Sequence, residues 1–284
     1  MQQIELIECP RDAMQGIKQW IPTAQKIRYA QSLLKVGFDV LDIGSFVSPK
    51  AIPQMRDTAE VLASLDRSVS HTDLLTIVAN ERGAATACSH PEVDWLGYPF
   101  SISENFQMRN THKTIADSER LLERIVNRCA QNNKGLVVYL SMGFGNPYGD
   151  PWSADIVAAW LGKLSAMGVE VVSLSDTVGA ASPAIIGELF SVIIPAFPSL
   201  QIGAHLHVNP ADALQKIDRA YQQGCRRFDG AIRGYGGCPM AKDELIGNMP
   251  TEKLLTYCST HKIEHSIHPL HFESAYNQAL DTFP

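Results

Sequence analysis

The chain has 284 residues, a hydrophobic content of 45% and a formal net charge of −6 at pH 7, enough apolar material for one barrel-sized core or two smaller ones. The acidic balance has no long like-charge runs, which gives no reason to expect nucleic acid or a membrane surface as a partner; apolar runs stay short of the roughly 18 residues of a membrane span, and Met1-Gln2-Gln3-Ile4-Glu5 enters a strand pattern with no signal or transit peptide. Six cysteines, Cys9, Cys88, Cys129, Cys225, Cys238 and Cys258, lie far apart without a Cys-x-x-Cys pair, which argues against a disulfide framework or a zinc knuckle and suits a reducing cytoplasm, or an organelle matrix after loss of a targeting segment.

Ile4 to Cys9 alternates as a strand, and Pro10 to Gly16 reads as a polar loop. A helical pattern begins at Thr23 and runs through Ile27, Ala30, Leu33 and Leu34. Val40 to Ile43 is a second strand, broken by Gly44-Ser45, and helix comes after Pro53 on Met55, Ala59, Val61 and Leu62. The third strand is Leu74 to Val78, with a short helix near Ala84 to Cys88; the fourth lies around Val93 to Leu96, before a long polar loop. After a helix from Ser118 to Cys129, Leu136 to Leu140 is a nearly continuous apolar strand, as expected where both faces of a parallel sheet are buried. A glycine-rich loop (Gly143 to Gly149), a helix from Ser153 to Met167, a strand from Val169 to Leu174 and a helix from Ser182 to Ile194 come next. The seventh strand, Gln201 to His207, precedes a helix from Ala211 to Gln222; the eighth, Arg227 to Ala231, precedes a glycine loop and a helix from Thr251 to His261.

Eight strand-helix units with short connections and no break in composition predict one closed (β/α)8 TIM barrel over about residues 4–262, with a short C-terminal extension, 263–284. The histidines of that extension, His265, His268 and His271, suit a surface or assembly role. Barrels of this type pair through outer helices, so a homodimer is an expectation.

In such a barrel the strand ends and the loops after them meet at one face. There the sequence places Arg11 and Asp12 after strand one, Asp42 in strand two, Asp176 after strand six, His205 and His207 on one side of strand seven, and Cys238 and Asn248 after strand eight. Two imidazoles on one strand face can grip a cation or sit unused on a half-exposed strand. Because strands one, seven and eight become neighbours on closure, Asp12, His205, His207 and Asn248 can share an ion. One carboxylate, two imidazoles and an amide oxygen form a harder set than zinc prefers, so Mg²⁺ or Mn²⁺ is expected. Asp42 and Asp176 can orient a substrate or move a proton, and Asp176 can equally cap the next helix. Cys238, in Gly234-Tyr235-Gly236-Gly237-Cys238-Pro239, stands on a glycine loop from which a thiol can serve as acid or base.

Several segments together resemble the hydroxymethylglutaryl-CoA lyase family of metal-dependent barrel enzymes: Asp42-Ile43-Gly44-Ser45-Phe46-Val47-Ser48-Pro49-Lys50 with Pro53-Gln54-Met55, Ser173 to Gly179, His205-Leu206-His207, and Gly236-Gly237-Cys238-Pro239 with Gly247-Asn248. The match runs from about Glu8 to Lys262. The resemblance implies a divalent metal, Mg²⁺ or Mn²⁺, on Asp12, His205, His207 and Asn248, and a 3-hydroxyacyl-CoA substrate. It implies that Arg11 polarises the thioester carbonyl, that Asp42 supports the base, that Asp176 and His205 assist proton transfer, and that Cys238 protonates the acetyl-CoA carbanion. Gln15, Lys18 and Ser45 would join Arg11 in binding substrate. Retro-Claisen cleavage to acetyl-CoA and acetoacetate, with a place in leucine degradation and ketone body formation, is the implied activity.

Departures from the family pattern bear on the substrate side. Asp42 stands where the family usually has glutamate, Val208 replaces an aspartate after the second histidine, Val137 replaces a strand-five arginine, the loop Ser141 to Pro147 lacks the two cysteines common there, and Gly16 and Ile17 replace polar residues. A Claisen-type acyltransferase or an aldolase acting on a 2-oxo or hydroxy-oxo acid is the alternative enzyme reading, and a metal-holding barrel without turnover is a third.

Overall fold

The apolar runs become the staves of a closed barrel. In the computed structural model, which describes residues 3–237 and 246–283, eight strands pair in parallel in chain order: β1 (Glu5–Glu8), β2 (Val40–Ser45), β3 (Asp73–Ile77), β4 (Trp95–Ser101), β5 (Gly135–Ser141), β6 (Val171–Asp176), β7 (Gln201–Val208) and β8 (Arg227–Gly230). Pairing of β8 with β1, Ile7 opposite Asp229, closes the ring. The predicted (β/α)8 TIM barrel is therefore the observed fold.

Strand alternation divides the apolar side chains between two cores. Ile7, Val40, Leu75, Ile77, Val137, Tyr139 and Val171 fill the barrel. Their neighbours in sequence, such as Leu6, Leu41, Leu74, Leu136, Val138 and Val172, pack outward against the helices. Burial on both faces explains the continuous apolar reading of β5. The helical layer comprises α1 (Pro10–Gln15), α2 (Thr23–Leu34), α3 (Thr58–Ala63), α4 (Glu81–Ser89), α5 (Glu104–Thr111), α6 (Ile115–Gln131), α7 (Ala154–Ala166), α8 (Pro183–Ala196), α9 (Ala213–Gln222), α10 (Thr251–His261) and α11 (Pro269–Thr282). Among the described residues, no helix is long and apolar enough to cross a membrane.

Three expectations change, and the C-terminal extension gains a helix. Pro10 to Gln15 is a helix, not a loop: proline fits its first turn, where no backbone N–H is needed, and Ala13 N–H closes the turn on Cys9 O at 3.0 Å. Gly44 does not break β2; the register against β3 shifts between Asp42 and Gly44, and a Cβ on Gly44 would stand 2.5 Å from Thr58 Cγ2, so the glycine admits α3. The fourth strand lies later than expected, because Gly97 and Pro99 are inside it, and the polar segment after it contains α5, capped by Ser103. The C-terminal extension carries α11, which packs on α2, with the Phe283 ring edge-on to Tyr29 at 5.6 Å.

Candidate metal centre and its surroundings

Helix α1 begins two residues after β1 and turns directly over the barrel mouth, which sets Arg11, Asp12 and Gln15 at the C-terminal ends of the strands. A short strand, β9 (Gly247–Asn248), runs antiparallel to β7 and puts Asn248 opposite His207. One donor from α1, two from β7 and one from β9 thus converge.

Ligating atoms of Asp12, His205 and His207 lie within 4.8 Å of one another, and all three residues are buried. Nδ1 of His207 donates to the Thr177 carbonyl at 3.0 Å, which leaves the Nε2 lone pair directed at Asp12 Oδ2, 3.9 Å away. That Nε2 is buried and finds no hydrogen-bond partner among the described residues. A buried acceptor facing a carboxylate, with a second imidazole beside it, is what a divalent cation would satisfy, so the donor set fits a metal. Asn248 donates to Asp12 Oδ2 at 2.8 Å and to the Tyr235 carbonyl at 2.9 Å; its amide oxygen is the atom that would ligate. Gly236, at φ +87°, lets the loop pass over this group, since a Cβ there would come within 2.8 Å of the Asn248 amide and 2.7 Å of the Asp12 carbonyl.

Arg11 and Asp42 form a buried pair beside the cluster. Nε lies 3.1 and 3.0 Å from the two Asp42 oxygens, and Nη2 also bonds Asp42 Oδ2. Nη1 donates to Asp12 Oδ1 and to Gln15 Oε1, each at 2.8 Å, and Gln15 returns a 2.8 Å bond to Asp12. The shorter aspartate therefore reaches its cation. Burial acts against the Arg11 charge, but Asp42 and Asp12 outweigh it and hold the guanidinium charged. Burial also pushes Asp42 up to about 6, with Arg11 opposing the rise. Asp12 goes the other way: burial raises it, yet Arg11 and both histidines draw it well below the usual carboxylate range.

The remaining predicted residues are spread more widely. Asp176 ends β6; its two oxygens accept from the Ala180 and Ala181 amides at 2.8 and 3.0 Å, and Lys216 Nζ is 3.8 Å away. The residue that caps α8 is Ser182, so Asp176 braces the preceding turn and does not cap the helix itself. Ser45 is buried, with its hydroxyl accepting from Val47 N–H at 3.1 Å, while Lys18 is exposed beyond α1. Cys238 lies outside the described residues. Val208 is buried and Val137 belongs to the interior core.

Sequence reasoning missed Asp229, an interior residue of β8 whose Oδ2 is 3.0 Å from His205 Nδ1. It also missed Tyr139, whose ring stands edge-on to His205 at 5.6 Å. The available signal was a carboxylate inside an otherwise buried strand, at the register position opposite a histidine.

A family model described as HMGL-like matches residues 4–277. The chain is 33% identical over 246 residues to the hydroxymethylglutaryl-CoA lyase of Bacillus subtilis, covering 87% of this chain and 81% of that one. It is 32% identical over 255 residues to a Pseudomonas aeruginosa protein named 3-hydroxy-3-isohexenylglutaryl-CoA/hydroxy-methylglutaryl-CoA lyase, covering 89% and 83%. The crystal structure of the Bacillus subtilis HMG-CoA lyase superposes with a TM-score of 0.93 at 30% identity, over 99% of this chain and 94% of that one.

Proposed function

The chain belongs to the HMGL-like family, and on that basis we propose that it is a divalent-metal-dependent lyase that cleaves 3-hydroxy-3-methylglutaryl-CoA to acetyl-CoA and acetoacetate. The observation that carries this reading is the convergence of three buried ligating residues, Asp12, His205 and His207, beside the Arg11–Asp42 pair at the barrel mouth.

A cation held by Asp12, His205, His207 and the Asn248 amide, Mg²⁺ or Mn²⁺ by the hardness of the set, would supply Lewis acidity toward the oxygens of the substrate. The side chains do the rest. Four of the five Arg11 N–H groups are committed to Asp42, Asp12 and Gln15, so the remaining Nη2–H is held in a fixed direction to meet the thioester oxygen as charge develops on it. Asp42, at about 6, is suited to take up and return a proton near neutral pH. Asp176 assists removal of the proton from the tertiary hydroxyl, while His205, with Nδ1 engaged by Asp229, serves through Nε2 in the ligand set; Cys238 returns a proton to the carbanion of acetyl-CoA, and Gln15, Lys18 and Ser45 line the substrate side. A recess of about 410 Å³ at the end of β2, lined by Ser45, Phe46, Arg56 and Arg82 among others, offers cations to the phosphates of an acyl-CoA.

The test is release of acetyl-CoA from 3-hydroxy-3-methylglutaryl-CoA with Mg²⁺ or Mn²⁺, repeated after EDTA and with Cys238→Ser. Metal-dependent release that collapses in the variant is the expected result; a protein that binds metal but releases nothing overturns the substrate. A bulkier 3-hydroxyacyl group is the second reading, favoured by the likeness to the Pseudomonas aeruginosa lyase named for an isohexenyl substrate and by Val137 and Val208, the first smaller than the arginine and the second apolar in place of the aspartate that the family carries there.

A further inference from the structure

The two imidazoles of the cluster are oriented by different means. His207 Nδ1 is held by a backbone carbonyl, whereas His205 Nδ1 is held by the side chain of Asp229 at 3.0 Å. That contact is built into the sheet, because β7 and β8 pair with His205 opposite Asp229. Ser173 Oγ, on β6, donates to the same Asp229 Oδ2 at 3.2 Å, so three adjacent strands fix the carboxylate. Asp229 is 3% exposed. A carboxylate oxygen only accepts, so the ring proton of His205 sits on Nδ1 and Nε2 remains the atom able to ligate.

We propose that Asp229 is the positioning residue of the metal centre: by accepting from His205 Nδ1 it fixes the tautomer and plane of that ring and presents Nε2 to the cation shared with Asp12 and His207. The inference rests on the proposed metal site. A carboxylate behind a ligating imidazole also makes it a stronger donor, and loss of such a partner weakens metal binding by about 10- to 100-fold. Cys9, His205 and Asp229 also lie within 4.8 Å of one another, so direct ligation by Asp229 is the competing role. It would place a second ion on Nδ1, the atom that makes the hydrogen bond.

Asp229→Asn separates the two. Its shape is conserved, but an amide can turn its NH₂ toward Nδ1 and so favour the tautomer with the proton on Nε2. Calorimetric titration of metal-stripped protein with Mn²⁺ should give one ion per chain in the parent and about 10- to 100-fold weaker binding in Asp229→Asn, with the thermal transition of the stripped protein little changed. ¹⁵N NMR of the stripped protein should show the His205 ring proton on Nδ1 in the parent and on Nε2 in the variant. Ser173→Ala, a milder change that keeps the charge, should weaken Mn²⁺ about threefold and serves if the first variant does not fold. Equal affinity in parent and variants, or two ions in the parent with one lost in Asp229→Asn, overturns the proposal while the metal reading stands. Absence of Mn²⁺ and Mg²⁺ binding in the parent overturns both.

Discussion

Arg11 carries several demands at once, and they can be separated. Its planar fork engages Asp42 with two nitrogens while Nη1 spans Asp12 and Gln15, a geometry that a lysine ammonium cannot reproduce. Removing the cation leaves the buried Asp42 carboxylate uncompensated, a change that costs about 3–5 kcal/mol in comparable buried pairs. Arg11→Gln should therefore lower the urea-unfolding free energy by roughly that amount and reduce kcat by about 10²- to 10³-fold, the scale of losing one preorganised donor at a developing oxyanion. Arg11→Lys should recover most of the stability and little of the rate. Equal recovery of both would show that charge alone, without direction, is what the site needs.

At the scale of elements, the end of β1 is tied to the segment between β8 and α10 through one buried carboxyl. Glu8 accepts from Ile232 N–H at 2.7 Å and from the Thr251 hydroxyl at 2.5 Å, which links β1 to the start of α10. Burial pushes Glu8 up to about 8, against the opposing bonds from Thr251 and Ile232. A carboxyl whose folded value is raised favours the folded state while it is protonated: the contribution is complete below about 4.5 and is lost as pH rises through about 8. A shift of that size corresponds to stability on the order of 5 kcal/mol across the window. Glu8→Gln retains an acceptor for Ile232 and gains a donor for Thr251, so it mimics the protonated acid at every pH. Denaturation at pH 5 and pH 8 should show the parent weaker at the higher pH and the variant losing clearly less, the remainder coming from Asp42, which is also raised, to about 6. A parent with the same stability at both values would refute this account of the strand's anchor.

On the scale of the whole molecule, the C-terminal extension packs against the segment that holds a proposed metal ligand. Phe283 is buried, meets Tyr29 of α2 edge-on and stacks on Tyr235 at 4.5 Å. The Tyr235 carbonyl in turn accepts from Asn248. The chain of contacts therefore runs from the residue after α11 through an aromatic pair to a proposed metal ligand. Phe283→Ala should cost about 3–5 kcal/mol as a large buried ring is lost, and it should also weaken Mn²⁺ binding by loosening the Asn248 segment. Leu270→Ala, at a side chain 70% exposed on the same α11, should change neither. If Phe283→Ala lowers stability without touching Mn²⁺ affinity, the extension supports the barrel alone.

Local pattern along the chain was enough to specify the barrel and much of its mouth. Eight strand-helix alternations, the doubly buried apolar run of β5 and the His205-Leu206-His207 spacing each record which face of their own element is buried. Arg11, Asp12 and Asn248 could be placed at the mouth because closure makes strands one, seven and eight neighbours. Their partners could not be read in the same way. Arg11 meets Asp42 across 31 residues and His205 meets Asp229 across 24; the first depends on how α1 turns over the barrel mouth and the second on the register between β7 and β8, neither of which periodicity within one strand encodes. The same limit hid α1, where a proline in the first turn looks like a loop, and the position of α11. These points were settled in three dimensions because burial fixes which side of a strand faces inward, whereas closure of the ring fixes which inward side chains meet.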